Sequence, residues 1–153
     1  MMIYWKGNVS EHFTLSEYAG TGNGAAVMTM DSMLCIIMAE EFRVWLNRPM
    51  IRHGWHRTAE ENKKVGGVAN SNHLRGCAFD WHTNITITEA KFKKYAKKWK
   101  SICAKQGVVG EAGLYNGWIH FGVQNEAQVK INKGKFFNWD SRSGIQKNGA
   151  FAI

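Results

Sequence analysis

Two histidines and an aspartate carry the strongest chemical signal in this sequence. The chain has six histidines, His12, His53, His56, His73, His82 and His120. A lone histidine is more often structural than a ligand, so each needs a context. His73 has one: in the run SNHLRGCAFDWH, Asp80 follows it by seven residues, and Gly76 lets the backbone bend between them. Asp80 stands among Ala78, Phe79 and Trp81, where a bare buried carboxylate is costly without a cation. Imidazole nitrogen and carboxylate oxygen both suit Zn²⁺ at about 2.0–2.2 Å. His120, within GWIHFG, is again a polar residue between apolar ones and offers a third ligand from a neighbouring strand. Three protein ligands leave a fourth position for water, the arrangement of a catalytic rather than a structural zinc. Spacing alone leaves open that His120 is a hydrogen-bonded core histidine instead.

The elements that must position these residues can be read in outline. MIRHGWHR (50–57) reads as a strand ending near Arg57, and residues 58–70 as a polar turn or short helix followed by the flexible run VGGVAN. AFDWH (78–82) reads as a strand. VVGEAGLY and GWIHFGV, spanning 108–123, read as two strands joined by a tight turn at Asn116-Gly117. Two helices are expected to cover the sheet. One is capped by Asp31 and runs to about Asn47, with Leu34, Ile37, Met38, Phe42, Trp45 and Leu46 on its buried face. The other is capped by Thr88 and runs to about Lys105, with Phe92, Tyr95, Ala96, Trp99, Ile102 and Cys103 inside and seven lysines mainly on the solvated remainder. The first twenty residues read as irregular and residues 20–26 as a Gly-rich loop. The tail from Gln124 could add a strand or wrap the domain. Helices and short strands in mixed order predict an α+β fold, a small antiparallel sheet packed by helices with the metal site on the sheet. The chain is expected to form one domain over 1–153, with 124–153 as an extension of unassigned role.

Composition sets outer limits. With 153 residues, the chain fits one domain that buries about two-thirds of its unfolded surface. A net charge of +8 suits polyanionic surroundings, whether nucleic acid or anionic cell-wall polymers, and equally suits plain solubility. No nucleic-acid motif accompanies the charge, so none is expected as partner. Cys35, Cys77 and Cys103 make an odd, irregular set without a CxxC or a disulfide framework. Cys35 and Cys103 are expected as buried thiols. MMIYWKGNVSEHF lacks the apolar run of a signal peptide, and no stretch approaches the roughly 18 apolar residues of a membrane span.

The run Ser71-Asn72-His73-Leu74-Arg75-Gly76-Cys77-Ala78-Phe79-Asp80 resembles the S-x-H-x-x-G-x-A-x-D signature of the zinc D-alanyl-D-alanine peptidases. Upstream, GWHRTAEENKKVGGVANS is similar to that family's arginine-bearing segment, with Arg57 on its arginine. Downstream, GLYNGWIHFGV resembles the segment that carries its second histidine ligand, with His120 in that place. SEHFTLSEY resembles the opening of a peptidoglycan-targeting branch often found in phages, and the similarity runs from about residue 10 to 123. The resemblance implies Zn²⁺ held by His73, Asp80 and His120, Arg57 polarising the scissile carbonyl and Ser71 hydrogen-bonding the substrate peptide. It also implies peptidoglycan peptides as substrate and a phage lysin or virion-associated enzyme that reaches the bacterial wall without its own signal peptide. By residue chemistry alone, Arg57 could instead pair with Glu60 or Glu61 at the surface.

The sequence departs from that family in two places. Its members commonly carry an acid three residues before the last histidine and an aspartate two residues after it. Those positions are Gly117 and Gly122 here. A general base must then come from elsewhere. In a hairpin turning at Asn116-Gly117, Gly113 pairs with His120 and Glu111 with Gly122, which puts Glu111 on the His120 face. Glu111 is therefore the substitute base in sequence, unless its side chain faces solvent; His56 and His82 are other proton carriers. The missing acid also admits a different class of function, a zinc-retaining wall-binding or structural module without catalysis.

Overall fold

The computed structural model describes residues 7–19 and 28–153. Residues 1–6 and the expected Gly-rich loop at 20–26 lie outside them. The fold is α+β, as the sequence predicts. Its six-stranded sheet is ordered β1-β2-β4-β3-β5-β6, with β1 at Ile51–Gly54, β2 at Ala78–His82, β3 at Gly110–Leu114, β4 at Ile119–Val123, β5 at Phe137–Asp140 and β6 at Lys147–Asn148. Neighbours are antiparallel except β3 and β5, which run parallel. The expected first strand stops at Gly54, short of Arg57. The opening segment is also less irregular than expected, since Leu15–Ala19 forms a short helix, α1.

Helix α2 (Met30–Leu46) and helix α4 (Glu89–Lys105) supply the core, and the short helix α3 (Ala59–Lys64) lies between them in the chain. The six residues expected inside α4 are all buried, because its lysines leave only one apolar stripe. In α2 the expected face is rotated. Met38, Phe42 and Leu46 are buried and Leu34 is partly so, but Ile37 and Trp45 are exposed and Cys35, Ile36 and Ala39 face inward instead. Helix α2 carries apolar residues on several sides, so periodicity alone could not choose the face. The cap also moves: Thr29 Oγ1 accepts from Ser32 N and Ser32 Oγ accepts from Thr29 N, which leaves Asp31 in the first turn. Phe42 is the aromatic hub, meeting Trp81, Tyr95, Trp99 and Phe121 at centroid distances of 5.0–6.5 Å.

Strand alternation then divides the sheet into two faces. Phe79, Trp81, Ala112, Leu114, Ile119 and Phe121 belong to the core cluster beneath the helices. Asp80, Glu111 and His120, at the intervening positions, share the opposite face. The predicted hairpin forms in register, with Gly113 opposite His120, Glu111 opposite Gly122, and Tyr115 N donating to Trp118 O at 2.9 Å. Gly117 takes φ +89° at the turn. The tail both adds strands and wraps: after α5 (Glu126–Ile131), β5 and β6 extend the sheet and Phe151 returns to pack on Phe92 of α4.

Candidate metal centre

Three parts of the chain bring the candidate donors together. His73 sits on a 3-10 helix, Asn72–Arg75, whose start is capped by Ser71 Oγ accepting from His73 N at 3.4 Å. That helix ends at Gly76 in the left-handed region, φ +67°, where a Cβ would also strike the Tyr18 hydroxyl at 2.1 Å. Glycine is therefore needed there for two reasons, and the turn it makes delivers the chain into β2. Asp80 on β2 pairs directly with His120 on β4. Arg57 N donates to His73 O at 3.0 Å, tying the segment after β1 to the same turn.

The donor atoms converge. His73 Nε2 lies 3.3 Å from His120 Nδ1 and 3.3 Å from Asp80 Oδ1, and His120 Nδ1 lies 2.8 Å from Asp80 Oδ1. Donors held at about 2.0–2.2 Å by a tetrahedral ion lie about 3.3–3.6 Å apart, so two edges fit directly and the third must open by roughly 0.5 Å. The outer nitrogens are committed: His73 Nδ1 donates to Trp55 O at 2.6 Å, and His120 Nε2 donates to Glu111 Oε1 at 3.1 Å. Both rings therefore turn their remaining nitrogen toward Asp80 Oδ1. Three buried acceptors this close require a proton or a cation among them, and histidine nitrogen with carboxylate oxygen is a donor set that suits zinc.

The electrostatics agree. Burial alone would raise the Asp80 pKa, but His73 and His120 beside it hold the carboxyl well below its usual range. Burial would likewise lower His120, yet its hydrogen bonds to Asp80 and Glu111 push it up to about 9. Glu111 is raised by burial and lowered by His120 and Asn72, with a net fall, so it stays ionised.

Arg57 takes neither surface glutamate as partner: its Nη2 donates to Asp80 Oδ2 at 2.6 Å. Asp80 thus turns one oxygen to the histidines and the other to the guanidinium. Arg57, Ser71 and Glu111 line the same cavity of about 620 Å³ as His73, Asp80 and His120, with Tyr115, Trp118 and Trp139 on its aromatic side. Glu111 is buried among these residues rather than facing solvent. Gly122 explains how: a Cβ there would stand 2.6 Å from Glu111 Oε1, so the missing aspartate is the space the glutamate occupies. At Gly117 a Cβ would meet nothing within 4 Å among the described residues. His56 and His82 do not line the cavity, whereas His53 does.

Sequence reasoning missed Asn72, Gln128 and the Trp55 carbonyl. Asn72 fills a variable position of the motif, Gln128 lies beyond it, and a carbonyl has no sequence signature. Another carboxylate–histidine group, Glu11, His12 and Glu40, lies nearer the surface, where Ser10 Oγ and His12 N donate to Glu40 and pin the opening segment to α2.

No curated protein matches the chain. The Peptidase M15 profile matches residues 11–122, a span that runs from the opening segment to the end of the hairpin and includes the whole donor triangle. By that match the chain belongs to the Peptidase M15 family, the zinc D-alanyl-D-alanine carboxypeptidase-like metallopeptidases.

Proposed function

We propose that this chain is a zinc peptidase that cleaves peptide bonds in bacterial peptidoglycan, in the setting of a phage lysin or virion-associated lysin. The observation that carries the reading is the donor triangle of His73 Nε2, Asp80 Oδ1 and His120 Nδ1, with both outer ring nitrogens already committed. Zn²⁺ held there would supply Lewis-acid polarisation and an acidified water. Arg57 stabilises the developing oxyanion; one of its five donors is used by Asp80, and no hydrogen bond from the others occurs among the described residues. Glu111 moves the proton at Oε2, because Oε1 already accepts from His120 and Asn72 while no hydrogen bond to Oε2 occurs among the described residues. Ser71 orients the substrate backbone from the cavity wall. The net charge of +8 draws the protein to anionic wall polymers. No helix among the described residues is long and apolar enough to cross a membrane, and the proposed place of action is the wall, reached after release or as a phage component.

Metal analysis combined with mass spectrometry of digested peptidoglycan tests this. Chelator and His73→Ala should each abolish new amine release. Intact stem and cross-bridge peptides after long incubation with zinc-loaded protein would sink it. A second reading, a zinc-retaining wall-binding module, is favoured by the empty position at Gly117. Retention on purified wall without amine release is the result that selects it.

A further inference from the structure

The cavity contains a hydrogen-bond chain that neither the ligands nor the proposed catalytic groups account for. It begins on α5, outside the span matched by the family. Asn125 caps that helix: its Oδ1 accepts from Gln128 N at 3.0 Å, and Gln128 Oε1 accepts from Asn125 N at 2.8 Å. The capping box therefore fixes which way the Gln128 amide points. Its oxygen is presented to Asn72, whose Nδ2 donates to it at 2.9 Å and to Glu111 Oε1 at 2.8 Å. Glu111 Oε1 in turn receives His120 Nε2 at 3.1 Å.

The orientation of Asn72 has a visible cost. Both neighbours of its Nδ2 are acceptors, one a carboxylate and the other a glutamine oxygen fixed by a backbone N–H. Its own Oδ1 is left buried with no hydrogen-bond partner among the described residues, and such an orphan is destabilising. Turning the amide over would give neither acceptor a donor. An orphan tolerated in this way marks a side chain whose donor end is required.

We propose that Gln128 and Asn72 are positioning residues for the metal centre. Helix α5 holds Asn72, Asn72 holds Glu111, and Glu111 holds the His120 ring with Nδ1 turned toward His73 and Asp80. This rests on the zinc reading above. It makes helix α5 a working part of the centre, supplying an outer brace from beyond the family match, which ends at residue 122. Ligand histidines depend on such outer partners for orientation, and losing one typically weakens metal binding about 10–100-fold.

The test is zinc affinity, measured by competition with a chromophoric chelator on the full chain. Gln128 is only partly buried, so Gln128→Leu should fold, and it is expected to weaken zinc binding about tenfold, the low end of that range. Gln128→Glu keeps an acceptor for both Asn125 N and Asn72 and is expected to restore affinity. Asn125→Ala removes half of the same cap without touching Asn72, and should leave affinity within about twofold of the parent, well below the loss of an outer partner. Wild-type affinity in Gln128→Leu overturns the proposal and leaves the zinc reading standing. Equal losses in Gln128→Leu and Asn125→Ala also overturn it, since they reduce the effect to helix capping. If the unaltered chain takes up no zinc, both readings fall together.

Discussion

Gly122 is the most informative position to perturb, since its missing side chain is what admits Glu111 to the centre. A Cβ there would stand 2.6 Å from Glu111 Oε1 and 3.1 Å from His120 Nε2. The backbone does not itself demand glycine, because Gly122 is not among the residues with positive φ. Alanine therefore acts through the side chains. Glu111 is the flexible partner, so it must swing away and surrender its contacts with His120 and Asn72. A hydrogen bond to a charged group contributes about 1.5–3 kcal/mol. At about 1.4 kcal/mol per decade that is a loss of roughly 10–150-fold in zinc affinity, in line with the loss of an outer partner of a ligand. Chelator competition on Gly122→Ala, with a circular-dichroism check that the fold is intact, measures it. Zinc binding within about twofold of the parent, well short of those losses, would refute the idea that the glutamate braces His120.

Three further outcomes are expected. In the metal-free protein, His120 has its pKa raised to about 9 from an ordinary value of about 6.5. Its contribution to stability is complete below about 6.5 and is lost as pH rises through about 9. Thermal melts at the two ends should show the fall, and because zinc must displace that proton, apparent zinc affinity should rise with pH across the same window; a flat profile contradicts the assignment. Arg57→Ala should weaken zinc binding about 10–100-fold, because it removes the outer partner of Asp80, and at saturating zinc should lose about 10²–10³-fold in turnover, the usual cost of one oxyanion donor. Rates of peptide release check this, and near-parental turnover would remove Arg57 from the chemistry. Phe42→Ala should cost about 3–5 kcal/mol of unfolding free energy without changing zinc stoichiometry; denaturant titration beside metal analysis separates the two effects.

Legibility differed from element to element for physical reasons. The hairpin could be read to the residue, because a two-residue turn and strict alternation leave one register that buries Ala112, Leu114, Ile119 and Phe121 together. Helix α4 was equally plain, its lysines defining the outside. Helix α2 was not, since Ile37, Val44 and Trp45 remain exposed on a helix that is also apolar within. Parallel pairing of β5 with β3 left no local trace, because it joins segments separated by β4 and α5.

The sequence by itself determined which residues offer themselves as candidate donors, the hairpin that carries His120, and the placement of Glu111 on the same face. Those follow from residue chemistry and from periodicities that act over a few neighbours. Only the tertiary structure decided what holds the donors in place. Arg57 turns to Asp80 rather than to the adjacent glutamates, the Trp55 carbonyl fixes His73, and Gln128 reaches across 56 residues to Asn72. Each of these is a contact between groups that local sequence cannot bring together. They form because buried polar atoms must find partners wherever packing leaves them.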